Sequence, residues 1–129
     1  MAIQAHVLVV DDEVLAAMAL QNVLQRRGFR VSVAGDGQQA LEIWNRDPAD
    51  AVVTDLKMPR MTGDELAVRL RTLAPHLPLI VASGYLSETV EQRLRHDVDD
   101  PIEIFTKPIN LASVLRALST MLARERPDH

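Results

Sequence analysis

Four apolar segments of this chain each run directly into residues that can do chemistry. "HVLVV" (6–10) leads into Asp11 and Asp12, "AVVT" (51–54) into Asp55, "LIVA" (79–82) into Ser83, and "IEIFT" (102–106) into Lys107. Taken singly, each polar residue has an ordinary explanation as a helix cap, a turn or a surface loop. Taken together they supply three carboxylates, a hydroxyl and an ammonium. Carboxylates crowded within several ångströms repel one another, which raises their pKa values or calls for a cation. Mg²⁺ answers that need: it prefers oxygen ligands, takes a carboxylate or two, and keeps waters that a phosphate oxygen can replace. Lysine and serine suit the remaining phosphoryl oxygens by charge and by hydrogen bond. An aspartate can be the nucleophile, forming an acyl phosphate. The set therefore implies a Mg²⁺-dependent phosphoryl acceptor built on a carboxylate side chain.

These residues act together only if the fold brings them to one place. Five short strands rich in Val and Ile, the fifth being "RVSVA" (30–34), alternate with five helical patterns. The first helix covers about 14–27 and stops at Gly28, and the second covers 37–46, with Asp36 as N-cap and Pro48 just beyond. A third starts at Thr62, where Thr62 and Glu65 have capping-box spacing. A fourth, about 88–97 after Ser87, has only a thin apolar stripe and is expected to be held least firmly. The fifth, about 111–124 after Asn110, lines up Leu111, Val114, Leu115, Leu118, Met121 and Leu122. Strict alternation predicts an α/β fold: a doubly wound, five-stranded parallel sheet of order 2-1-3-4-5 with five helices, flavodoxin-like. In such sheets sites form outside the carboxyl ends of the strands, at the switch between strands 1 and 3. The five acid, hydroxyl and ammonium residues, at four strand ends, fall on that edge.

Composition sets outer bounds. At 129 residues, 47% hydrophobic and 25% charged, the chain reads as one globular domain over 1–129, with its core at about 5–124. A net charge of −4 argues against direct nucleic-acid binding. No cysteine is present, and the longest apolar run, Val14 to Leu20, is far too short to span a membrane. A cytoplasmic protein is the expectation. Only two of the 14 basic residues are lysines, Lys57 and Lys107, and both sit in strand-end loops. Trp44 belongs with Leu41 and Ala40 on a core face. Arg69, Arg71, Arg93 and Arg95 are expected on solvated helix faces, and His6, His76, His96 and His129 as scattered, solvated or locally bonded side chains.

The segments "VLVVDDE", "VVTDLKMPRMTG", "VASG" and "FTKPI", in this order and spacing, resemble the receiver (response regulator) domain of two-component signalling, of the chemotaxis-regulator type. The resemblance covers about residues 5–124. It implies that Asp55 accepts the phosphoryl group. Asp12, Asp11, Asp55 and the backbone carbonyl of Lys57 would hold Mg²⁺. Lys107, joined to Pro108 by a cis bond, would hold a phosphoryl oxygen, Ser83 would hydrogen-bond the group, and Pro59 and Gly63 would shape the loop after the acceptor. It further implies a sensor histidine kinase or phosphotransfer protein as donor, an unnamed downstream protein target, and no membrane association. Switching would occur on the surface made by the helix near 88–97, the strand at 102–106 and the last helix, where a homodimer is also allowed. Catalysis would be limited to the domain's own phosphorylation and dephosphorylation.

The chain departs from the family pattern at one position and in one segment, "HDVDDPIE" (96–103), which lacks the family's small Gly-Ala turn. Ile104 stands where the family places an aromatic switch residue, and the adjacent Phe105 should point to the opposite face. Tyr85 and Lys57 flank the path of the attacking water in the family, and a bulky Tyr85 is hypothesised to slow hydrolysis. Two other functions compete. A haloacid-dehalogenase-like phosphohydrolase would need its nucleophile in a D-x-D pattern, whereas Asp11, Asp12 and Glu13 follow strand 1. A binding module that works unphosphorylated would have no need of the intact acid, hydroxyl and lysine set.

Overall fold

Local chemistry marks the element boundaries in the computed structural model, which describes residues 4–84 and 102–125. The strands are β1 (His6–Val10), β2 (Arg30–Ala34), β3 (Ala51–Asp55), β4 (Leu79–Ser83) and β5 (Ile102–Thr106). The helices are α1 (Val14–Arg26), α2 (Gly37–Arg46), α3 (Gly63–Leu73) and α4 (Leu111–Glu125). Helix α1 ends because Gly28 takes a φ of 92°, a region side chains avoid. The Gly28 and Phe29 N–H groups then donate back to the Gln25 and Leu24 carbonyls at 3.0 and 3.1 Å. Helix α2 begins where Asp36 Oδ1 accepts from the Gln39 N–H at 2.8 Å, and α4 where Asn110 Oδ1 accepts from the Ser113 N–H at 3.1 Å.

The five strands form one parallel sheet of order β2-β1-β3-β4-β5. This is the expected doubly wound α/β arrangement. Four helices lie among the described residues, and the helix expected near 88–97 falls outside them. Successive strand residues point to opposite faces, so a strand covered on both sides is apolar along nearly its whole length. Strand β1 shows this: Leu8 and Val10 join the core beside α2 and α3, while Val7 and Val9 join the core beside α1 and α4. Ile104 packs with the first core and Phe105 with the second, as strand alternation requires. Among the described residues no helix is long and apolar enough to cross a membrane.

Three expectations need correction. The capping box at α3 does not form: Thr62 makes no side-chain cap, and its hydroxyl instead donates to Glu65 Oε1 at 3.2 Å. Arg71 is buried rather than solvated, because it faces the core side of α3 and its Nε donates to the Leu77 carbonyl at 2.7 Å. His6 is buried and bonded to distant segments. Its Nδ1 meets the Pro48 carbonyl at 3.1 Å and its Nε2 meets Ser32 Oγ at 2.7 Å. A carbonyl can only accept, so Nδ1 carries the proton and, in the neutral ring, the Ser32 hydroxyl donates to Nε2.

Candidate functional site

Strand β3 carries Asp55 to the carboxyl edge of the sheet as its final residue, in register with Ala82 of β4. The side chain is 8% exposed, which is low for an acid. Its backbone is fixed on several sides. The Thr54 hydroxyl donates to the Asp55 carbonyl at 2.9 Å, and the Leu56 N–H donates to the Ala82 carbonyl at 2.9 Å. The chain then loops out through Lys57, Pro59 and Arg60 and returns where the Gly63 N–H donates to the Leu56 carbonyl at 2.7 Å. A Cβ at Gly63 would collide with the Asp55 carbonyl oxygen and lie 2.9 Å from Leu56 Cα. Glycine at the start of α3 is therefore a packing requirement of the Asp55 backbone. Arg60 adopts a φ of 72°, an uncommon conformation for a residue with a side chain.

Asp11 and Asp12 leave β1 next to this strand. The Asp11 N–H donates to the Ala34 carbonyl at 3.0 Å, and Asp11 Oδ1 accepts from the Glu13 N–H at 2.9 Å. One carboxylate oxygen from each of Asp11, Asp12 and Asp55 lies within 4.8 Å of the others. Lys107 reaches in from the end of β5. Its Nζ stands 3.3 Å from Asp55 Oδ2, 3.7 Å from Asp11 Oδ2 and 3.7 Å from Glu13 Oε1. The Lys107 N–H donates to the Ser83 carbonyl at 2.7 Å, and the Lys107–Pro108 bond is cis. Ser83 is buried at the end of β4.

Charge crowding shows in the titration of the group. Burial pushes the Asp11 carboxyl above its ordinary value, and repulsion from Asp55 and Glu13 adds to the rise. The Glu13 N–H and the Lys107 ammonium pull the other way without cancelling it. Burial alone would lower the Lys107 pKa, but attraction to Asp55, Asp11 and Glu13 outweighs it and raises the value. One ammonium thus faces more negative charge than it can neutralise. Hard oxygen donors in a close trio, with Asp12 on the solvent side, fit the preferences of Mg²⁺ and lack the nitrogen or sulfur ligands zinc favours.

The structure brings Asp11, Asp12, Asp55, Ser83 and Lys107 to one edge of the sheet. Lys57 and Pro59 are exposed in the loop after β3, Pro108 is exposed just past Lys107, and Ile104 is half-buried on the α2–α3 side. Tyr85 lies outside the described residues. Glu13 is the member sequence reasoning missed. It occupies the N-cap position of α1 yet makes no side-chain cap, and its carboxylate turns to Lys107 instead. Its place directly after Asp12 was the available signal.

An acidic trio and a lysine at the switch point of a 2-1-3-4-5 parallel sheet define a class of phosphoryl-binding α/β domains. Residues 7–119 match the response regulator receiver domain family. The chain is 33% identical over 123 residues to the response regulator MprA of Mycobacterium leprae, covering 95% of this chain and 53% of that protein. It thus spans about half the length of the MprA relatives it matches. Among solved structures, chemotaxis protein CheY4 of Vibrio cholerae aligns with a TM-score of 0.82 at 26% identity, covering 92% of this chain and 99% of that one. A CheY-like receiver domain protein of Methanospirillum hungatei aligns with a TM-score of 0.88 at 22% identity, covering 95% and 97% of the two chains, and shows the shared fold. The chain belongs to the response regulator receiver domain family.

Proposed function

We propose that the domain receives a phosphoryl group on Asp55 from a histidine kinase or phosphotransfer protein and works as a switch in two-component signalling. The observation that carries this reading is the buried Asp55 carboxylate, 3.3 Å from Lys107 Nζ and beside Asp11 and Asp12. Asp11, Asp12, Asp55 and the Lys57 carbonyl would hold Mg²⁺, and the bound ion would offset negative charge on the phosphoryl oxygens. An Asp55 carboxylate oxygen attacks phosphorus while the bond from phosphorus to the donor's histidine nitrogen breaks, the electron pair leaving with the imidazole, which takes up a proton from water. Lys107 binds a phosphoryl oxygen through its ammonium, a stronger contact than a neutral hydrogen bond. Ser83 donates a hydrogen bond to the same group from the end of β4. Pro59 and Gly63 keep the loop after β3 in place, and Pro108 turns the chain after Lys107. Ile104 takes the switch position without an aromatic ring, and Tyr85 and Lys57 tune the lifetime of the phosphoryl group.

The exposed apolar side chains of Val14, Leu15 and Met18 on α1 adjoin the acidic cluster and favour a protein as the donor. A phosphohydrolase of the haloacid-dehalogenase type is not favoured, since the family match and the placement of Asp55 on β3 both point to a receiver. The test is incubation with Mg²⁺ and acetyl phosphate followed by intact-mass measurement. The expected result is one added phosphoryl group on the native protein and none on Asp55→Asn. An unmodified native protein, or equal labelling of the two, would contradict the assignment.

A further inference from the structure

The Asp55 carboxylate and the Lys107 ammonium form one end of a cleft of about 360 Å³. Its other walls are mostly apolar: Ala16, Ala19 and Leu20 of α1, Val53 of β3, and Pro108 and Ile109 after β5, with Thr54 the one further polar residue. The volume lies at the small end of the range for small-molecule sites. The cleft exists because α1 presents two alanines, Ala16 and Ala19, toward the segment that follows Lys107, and both remain open to solvent. A phosphoryl-accepting site needs only charge and hydrogen bonds, so an apolar wall in the same cleft as the acceptor carboxylate is unexplained by that chemistry.

We propose that this cleft takes the hydrocarbon tail of a small acyl phosphate and makes the domain prefer short-chain acyl phosphates over acetyl phosphate as donors. The inference rests on the acceptor role of Asp55 proposed above. The leaving group must depart without help from an acid. The polar end of the cleft holds the carboxyl groups of Asp11, Glu13 and Asp55 and the Lys107 ammonium held against them, and no histidine lines it among the described residues. An alkoxide leaving from a phosphomonoester would need a proton; a carboxylate leaving from an acyl phosphate does not. In the step, a bond forms between an Asp55 carboxylate oxygen and phosphorus. The bond from phosphorus to the acyl oxygen breaks, its electron pair departs with the free carboxylate, and no proton or oxidant is consumed. The tail then gains from leaving water, at up to about 0.8 kcal/mol for each fully buried methylene, a roughly fourfold rate factor apiece.

Acetyl, butyryl and hexanoyl phosphate, each with Mg²⁺ and below saturation, would be compared by the initial rate of adduct formation on the native chain. Hexanoyl phosphate is expected to react about tenfold faster than acetyl phosphate, less than full burial of four methylenes would give because the cleft is open. Filling the cleft by Ala19→Leu, or separately by Ala16→Leu, should bring the ratio of the two rates close to one. Hexanoate added with Mg²⁺ should shift the methyl NMR signals of Ala16, Ala19 and Ile109 while leaving the buried Ala67 methyl of α3 unmoved. Equal rates for the three donors, a preference that survives both substitutions, or no shift at those methyls would overturn the cleft assignment and leave Asp55 as acceptor. Absence of an adduct with every donor would overturn the acceptor reading, and this inference with it.

Discussion

Asp55 is held by its backbone as much as by its charge partners. Gly63 lies so close to the Asp55 carbonyl that any side chain there must displace the end of β3 or the start of α3. Gly63→Ala should therefore cost about 1–3 kcal/mol in urea unfolding, the usual scale for overpacking against backbone, and should slow adduct formation as well. Asp11 illustrates the opposite balance. Its folded pKa is raised above the ordinary 3.8, so folding favours its protonated form. That contribution is fully present below about pH 3.8 and is lost as pH rises through the raised value, leaving the ionised group a liability at neutral pH. Asp11→Asn should then stabilise the chain in the presence of a chelator by about 0.5–2 kcal/mol, with the gain fading at low pH. The same variant should lose most of the stabilisation that Mg²⁺ gives the native chain. A variant less stable than the native chain in chelator at pH 7 would contradict the electrostatic account.

At the scale of elements, the caps that were legible were those made by side chains close in sequence. Asp36 and its N–H partner on Gln39 are three residues apart, so the start of α2 could be read directly. Asp36→Ala should cost about 1 kcal/mol in thermal or urea unfolding, as loss of an N-cap usually does. The nearby Arg60 contact, 3.9 Å away with Arg60 largely exposed, should add little to that cost. Thr62 had the same spacing to Glu65, but its hydroxyl donates to the carboxylate and leaves the backbone uncapped. Residue type and spacing cannot tell a donating hydroxyl from an accepting one. His6 and Arg71 were illegible for a different reason. Each has a main-chain carbonyl among its partners, a group every residue carries, and the one bonded to His6 lies 42 positions away. Strand ends were legible through apolar alternation, although Asp55 and Ser83 proved to lie within the ladder, paired with Ala82 and Thr106. Backbone pairing does not stop where the side chains turn polar.

Over the whole molecule, strand order made the site legible. Four polar strand ends scattered along the sequence become neighbours only once β1 and β3 are adjacent and β4 and β5 follow. The cleft beside α1 was not legible, because it depends on how far apart α1 and the segment after β5 settle. Ile104 and Phe105 on β5, just before Lys107, reach the two separate cores. Mg²⁺ bound only by the folded chain should stabilise it by mass action, by about 1.4 kcal/mol at ten times its dissociation constant. For a domain of this size that is a rise of roughly 3–8 °C in Tm, read by calorimetry with and without a chelator. The most direct measurement is of the acceptor itself. The phosphorylated chain, reduced with borohydride to convert an aspartyl phosphate into homoserine, would be digested and its peptides sequenced by mass spectrometry. Conversion at position 55 and at no other acid is the expected result, and conversion elsewhere, or none in a chain carrying the added phosphoryl group, would contradict it.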